Sequence, residues 1–375
     1  MLLLLGRKTW FWYGVFIGLF WFWWIALSLQ HYGYAWGLPF GIVIIAFSYG
    51  LIFWCMAWFA EKIYALSSLP SVFIKTLALL GFSYFHPFGF DWLKPELMFI
   101  ESYIGIDKWQ FAIVLLAITL SIWKKNLIFL LLVVFAYQPT HIAPINKATE
   151  QNKIEIITTY IGVKNKWNKS LHAAQFKKVF QSIDQAIENN KTLVILPESV
   201  FPIFLNKNQA LIDTLQEKAK HISIVTGGLY WDGKTPRNST YIFTEGKITV
   251  ANKVVLVPFG ESNPLPNFLS DWVNKVFYDG AIDYKASSDV IDYLIDGISY
   301  RNAICFEATS EKLYAKDSSG NNPKYMIVLS NNGWFTPSIE PTLQKLLLQY
   351  YSKKYGTTIY HSVNMSKSYV IHSGN

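Results

Sequence analysis
Residues 10–29 and 38–60 contain no Asp, Glu, Lys or Arg, and nearly every side chain in them is aliphatic or aromatic. Each run has about 20 residues, the length an α-helix needs to cross a hydrocarbon core. Nothing else in the chain restricts its fold as strongly. A backbone without water must satisfy its own amides, and a helix does so within one segment. Residues 71–90 form a third, weaker run, interrupted by His86-Pro87. Residues 109–123 and 127–137 are shorter and separated by Lys124-Lys125; they read as two short tilted spans or as one re-entrant hairpin. Several spans in succession do not fit a cleaved signal peptide.

Lys and Arg near the span ends set the orientation. With five spans, Arg7-Lys8, Lys62 and Lys124-Lys125 fall on one side. That side is then cytoplasmic, and the chain after residue 140 lies outside the cytoplasmic membrane. Only 15% of the 375 residues are charged and 15 are Trp, with the apolar excess before residue 140. The rest, about 235 residues of ordinary composition, suffices for one sizeable α/β domain. The predicted division is therefore 1–140 and 141–375. The net charge of +8 is spread through the chain. It suits a positive-inside bias, a solvated lysine surface and contact with anionic head groups; no nucleic-acid motif accompanies it.

After residue 140, residues 154–160, 192–196, 222–230, 301–305, 325–329 and 357–363 read as strands. Residues 171–190, 209–220 and 342–355 read as helices, and 241–244 with 248–250 as a hairpin through Glu245-Gly246-Lys247. This pattern is α/β, with helices covering sheet faces. Reactive residues in such folds gather beyond the carboxyl ends of strands. Glu198 follows 192–196, Cys305 ends 301–305, and Ser330-Asn331-Asn332 ends 325–329.

Two cysteines cannot make a disulfide framework. Cys55 lies inside an apolar run and reads as inert, which leaves Cys305 single in its domain. A thiol attacks as thiolate and needs a base or a positive field. Glu198 can take the proton and return it to a leaving group. Lys253 can stabilise both the thiolate and the oxyanion of a tetrahedral intermediate. On spacing alone, a surface Glu–Lys ion pair and a core cysteine account for the same residues.

Leu196-Pro197-Glu198-Ser199, Leu256-Val257-Pro258-Phe259-Gly260-Glu261 and Ile304-Cys305-Phe306-Glu307 resemble the carbon–nitrogen hydrolase (nitrilase) superfamily. Together with Ser330-Asn331-Asn332-Gly333-Trp334-Phe335 and the apolar first third, they look more narrowly like the bacterial apolipoprotein N-acyltransferases. The resemblance covers almost the whole chain. It implies a multi-pass α-helical membrane bundle followed by an α/β nitrilase-like domain, an αββα sandwich. It implies a triad of Glu198 as general base, Lys253 as stabiliser and Cys305 as nucleophile, with no metal or cofactor. Glu261 matches a further carboxylate beside the triad. Phe306 and Glu307 match the pair after the cysteine, where the family usually has Tyr in place of Phe306. Trp167 matches a tryptophan at the active-site mouth, and Asn331 and Trp334 fall in the motif that would bind substrate.

The implied reaction is a two-step acyl transfer in the bacterial cytoplasmic (inner) membrane, with the catalytic domain on its periplasmic side. Cys305 would take a fatty acyl chain from a phospholipid as a thioester. The N-terminal amine of a diacylglyceryl-cysteine lipoprotein would then receive it. Residues 262–298, which include Leu265, Phe268, Trp272 and Phe277, read as an apolar lid resting on the bilayer or as an extra packed helix. The family usually carries more membrane helix before Trp10 and continues past the strand near 368–371 to further strands and a final membrane helix. Two other functions therefore stand beside transfer: a membrane-tethered amidase or nitrilase-type hydrolase, and an inactive truncated paralogue that only binds lipid.

Overall fold
The computed structural model describes residues 2–373 apart from 68, 87–89, 140–152, 264–282 and 318. It divides into two compact units: Met1–Pro87 with Asp91–His141 and Pro337–Leu346, and Phe88–Phe90 with Ile142–Thr336 and Leu347–Asn375.

The first unit is helical, with α1 (Arg7–Trp21), α2 (Leu38–Ser67), α3 (Ser71–Phe82) and α4 (Lys108–Lys124). α1 and α2 touch backbone to backbone. A Cβ on Gly14 would lie 2.3 Å from the Tyr49 carbonyl oxygen, and one on Gly18 2.5 Å from Ala46 Cα. Gly14 and Gly18, facing Ala46 and Gly50, have the small-xxx-small spacing that lets membrane helices approach where no hydrophobic effect drives them together. Bulky apolar side chains face outward: Phe20, Phe40, Val43, Ile44, Leu131 and Phe135 are 64–70% exposed. Such a surface suits lipid rather than water.

The predicted first span is broken. After α1 the chain continues as a 3₁₀ segment, Trp23–Tyr32, bent by 50°. Phe22 leaves helical geometry at φ −126° and stacks on Tyr49 with ring centroids 4.7 Å apart. Packing thus interrupts a run that composition made continuous. α3 stops at Phe82, short of the predicted residue 90, and the run at 127–137 is a 3₁₀ segment, Leu127–Ala136. Among the described residues, Ala35–Ser67 is long and apolar enough to cross a membrane alone, and Arg7–Trp21 and Trp23–Tyr32 are so only when taken together across their bend.

The second unit holds two sheets. The first contains β1 (Ile154–Ile156), β2 (Leu193–Ile195), β4 (Ser223–Trp231), β5 (Pro236–Thr244) and β6 (Lys247–Asn252) in that order, with β3 (Phe201–Phe204) paired to β4. The second runs β11 (Tyr369–Ile371), β10 (Thr358–Asn364), β9 (Tyr325–Asn331), β8 (Ile298–Ile304), β7 (Asp292–Ile295). Among the described residues its helices are the short turn α5 (Val163–Lys166), α6 (His172–Glu188), α7 (Gln209–Lys218) and, from Leu347 on, α8 (Glu340–Tyr355). The sequence reading lacks β3 and β7. For β7 a signal was present: Asp296-Gly297, at φ 51° and 75°, makes the two-residue turn into β8, the Asp-Gly hairpin pattern.

Strand β2 shows how the layers form. Alternate side chains face opposite sides of a sheet. Leu193 and Ile195 join Val225, Ile242, Tyr300, Ile327, Leu329 and Tyr360 in the core between the sheets. Val194 joins Val179, Ile183, Leu211 and Leu215 under α6 and α7. On the second sheet Met326, Val328, Ile359 and Val363 are fully buried and lie outside the inter-sheet core. The parallel pair β9 and β10 is linked through α8, and such a crossover lays its helix on a sheet face. Both faces of the second sheet are thus covered. Helix, sheet, sheet and helix stack in the order the resemblance implies.

Candidate active site
Glu198 lies three residues beyond β2, Lys253 directly follows β6 and Cys305 directly follows β8. Each therefore sits at the carboxyl end of a strand. Asn238 links Glu198 to the carboxylate paired with Lys253, and Glu307 links the residue after Lys253 to the residue before Cys305, so the three strand ends meet.

The Glu198 segment leaves the sheet gradually. Leu196 N–H still donates to Val225 O at 2.8 Å, and Ser199 then turns the chain with φ 47°. Gly227 of β4 permits this turn: a Cβ there would lie 2.5 Å from Ser199 N and 2.7 Å from Glu198 Cα. The Glu198 carboxylate accepts from Asn238 Nδ2 at 2.8 Å. Burial pushes its pKa above the usual carboxylate range. Lys253 opposes that rise, Glu261 adds to it, and Asn238 and Lys166 oppose it. A carboxyl so poised exchanges protons with a thiol more readily than an exposed one.

Lys253 extends the β5–β6 ladder, its N–H donating to Asn238 O at 2.9 Å. Its ammonium pairs with Glu261 Oε2 at 2.8 Å and is 1% exposed, which rules out a surface ion pair. Burial works against the charge. Glu261, Glu198, Cys305 and Glu307 more than reverse that effect and hold the pKa above the usual lysine range. Glu261 Oε2 also accepts from Val257 N at 2.9 Å, while Oε1 accepts from Asn238 Nδ2 at 2.8 Å. One amide of Asn238 therefore ties together two carboxylates whose mutual repulsion would otherwise spread them.

Cys305 is partly exposed and takes φ 53°, in the left-handed region that non-glycine residues rarely enter. It opens a 3₁₀ turn, Cys305–Thr309. Glu307 in that turn fixes its place. Its Oε1 accepts from Ile304 N at 2.7 Å, and its Oε2 accepts from Val254 N at 2.7 Å and Val255 N at 3.1 Å. One buried carboxylate thus staples the residue before Cys305 to the two residues after Lys253. Burial pushes the Glu307 pKa up to about 7 against Lys253 and the three amides.

The other predicted residues differ in burial and bonding. Phe306 is buried beside Cys305. Trp167 caps the short turn α5 and is 38% exposed. Asn331 is buried; its Oδ1 accepts from Asn364 Nδ2 at 2.7 Å and from Gly333 N at 3.3 Å. Asn364 in turn bonds Thr159 and Ile161, so Asn331 ties the end of β9 to the segment leading into α5. Trp334 ends the 3₁₀ turn Asn332–Trp334 and is partly buried. The apolar residues of the expected lid, Leu265 to Tyr278, lie outside the described residues. The flanks are joined at Glu261: Tyr284 N–H donates to Glu261 O at 2.9 Å, and Asn263 N–H to Asp283 Oδ2 at 3.0 Å.

Asn238, Gly227 and Lys166 escape the sequence reading. Asn238-Ser239-Thr240 lies in β5 with all three residues buried, and the predicted strand begins only at Tyr241 because three polar residues broke the apolar run. Lys166 stands directly before Trp167.

A strand-end carboxylate, ammonium and thiol on two face-packed sheets, in a chain that starts with membrane-type helices, are the parts of a nitrilase-like membrane enzyme. Residues 1–139 match the family described as apolipoprotein N-acyltransferase integral membrane domain. The apolipoprotein N-acyltransferase of Wolinella succinogenes is 39% identical over 373 residues, covering 98% of this chain and 86% of that protein. That of Helicobacter pylori is 34% identical, covering 97% and 83%. The chain belongs to the apolipoprotein N-acyltransferase family. It is a bacterial membrane N-acyltransferase.

Proposed function
We propose that Cys305 takes a fatty acyl chain from a phospholipid and passes it to the N-terminal amine of a diacylglyceryl-cysteine lipoprotein. The observation that carries this reading is the buried Lys253–Glu261 pair at 2.8 Å, bridged by Asn238 to Glu198 and coupled to Cys305. Glu198 accepts the thiol proton and the thiolate attacks the ester carbonyl. Lys253 stabilises the resulting oxyanion. The ester C–O bond breaks, and the proton held by Glu198 goes to the leaving alkoxide oxygen, releasing the lysophospholipid as an alcohol. The lipoprotein amine then attacks the thioester, Glu198 takes its proton, the C–S bond breaks, and the thiolate recovers the proton. Glu261 and Glu307 hold Lys253 and Cys305 in place, while Trp167, Asn331, Phe306 and Trp334 border the substrate. The relatives are named as acyltransferases, which favours transfer over release to water.

Protein purified from membranes and analysed by intact mass should carry one acyl adduct on Cys305, removable by neutral hydroxylamine. Acceptor acylation by an enzyme that never carries this adduct would overturn the reading.

Residues 1–140 form the membrane domain, with about five spans, and 141–375 the catalytic domain on the outer side of the cytoplasmic membrane. An Arg7–Glu61 ion pair at 3.7 Å supports the placement of Arg7 and the neighbouring Lys62 at one end of the α1–α2 pair. A reporter active only outside the cytoplasm should be active when fused after Lys147 and silent after Lys125. The reverse pattern would shift the span count by one and reject this orientation.

A further inference from the structure
Lys166 ends the four-residue turn α5, and it is 2% exposed. An ammonium taken out of water costs stability unless it is bonded. Its Nζ donates to the backbone oxygen of Glu198 at 2.9 Å. Two side chains of α6 secure the turn that carries it. Gln175 Nε2 donates to Asn165 O at 2.8 Å, and His172 Nε2 lies 3.1 Å from Lys166 O. The peptide that Lys166 grips is the one against which Gly227 leaves no room for a side chain. It is followed at once by Ser199 in a left-handed conformation at φ 47°. A conformation of that kind persists only when its surroundings over-determine it.

We propose that Lys166 is a positioning residue for acyl transfer: its ammonium pins the Glu198 peptide and so aims the carboxylate at Cys305, while adding a second positive charge beside the thiolate. The inference rests on the roles proposed above for Glu198 and Cys305. The titratable groups facing Lys166 are Glu198 after β2, Cys305 after β8 and His172 on α6. Burial lowers its pKa to about 8, with Glu198 and Cys305 opposing. The charge is therefore present at neutral pH and is lost in mild alkali.

The test uses the full chain in detergent with Cys55→Ala as background, so that Cys305 is the reacting thiol. Lys166→Met keeps the stem without donor or charge; Lys166→Gln keeps a donor without charge. Three quantities are read: the rate of thioester formation as a function of the concentration of a synthetic dioleoyl phospholipid, the pH profile of Cys305 alkylation by iodoacetamide, and thermal unfolding. Because small displacements of a reacting group are costly, Lys166→Met should slow thioester formation on the order of a hundredfold. The KM for phospholipid and the unfolding temperature should stay near the parent's. The alkylation profile should move to higher pH in both variants, and Lys166→Gln should recover part of the rate but not the profile. Rates within about threefold of the parent and an unmoved profile would overturn the proposal, since loss of transition-state stabilisation reads directly in such ratios. If Lys166→Met does not fold, Lys166→Gln decides by the same criteria. Cys305→Ala is run in parallel. An adduct on that variant would reject the thioester reading itself, whereas an inert Cys305→Ala beside normal Lys166 variants would reject only the role given to Lys166.

Discussion

Cys305→Ala should abolish acylation of the enzyme and transfer to the lipoprotein amine together. No other described thiol lies in the second unit, since Cys55 sits in α2. Cys305→Ser should also be nearly inactive. A thiol ionises near pH 8.5, whereas a hydroxyl needs far more help from its base. The serine variant keeps a small polar group at the left-handed position of φ 53°, so its fold is preserved and the loss is chemical. Cys55→Ala should leave both activities intact. The measurement is single-turnover thioester formation followed by mass, then acceptor acylation. Full transfer activity in Cys305→Ala would end the thioester mechanism.

Glu198→Gln and Lys253→Met should each slow thioester formation at least a hundredfold. General-base catalysis contributes about 10²–10⁴-fold, and one oxyanion donor roughly 10²–10³-fold. Gln at 198 still offers an oxygen to Asn238 Nδ2, which now sits 2.8 Å from Glu198 Oε1. The shape of the site survives and the proton acceptor does not. Lys253→Met is harsher on the fold. It leaves the Glu261 carboxylate, now paired at 2.8 Å, without its counter-charge in a buried site. Breaking such a pair costs about 3–5 kcal/mol, so rates must be referred to the folded fraction. Lys253→Arg, which keeps the charge, should restore stability ahead of rate. Near-normal thioester formation by folded Glu198→Gln or Lys253→Met would reassign that residue to structure.

Glu198 and Cys305 could be singled out in the sequence for a simple reason. Catalytic side chains at strand ends leave a local mark, an apolar run that stops at a charged or thiol residue. Residues 193–196 before Pro197-Glu198 carry it in full, and Ala303-Ile304 before Cys305 only in short form. Residues that hold the site leave none. Asn238 interrupts its own strand signal, Lys166 looks like any surface lysine, and Gly227 is one glycine in a Gly227-Gly228 pair.

The α/β alternation and the two long apolar runs followed from periodicity and length alone, because burial in a sheet or a bilayer imposes its pattern on neighbouring residues. Where the chain bends was decided in three dimensions. The stacking of Phe22 on Tyr49 breaks the first apolar run, and no local pattern announces it. The site was decided there too. Glu307 reaches across 53 residues to the amide of Val254, Asn238 across 40 to Glu198, and Lys166 across 32 to the Glu198 carbonyl. Sequence determined which groups could do the chemistry. Only tertiary structure decided that they meet, since each of these contacts closes a long loop through a hydrogen bond between segments far apart in the chain.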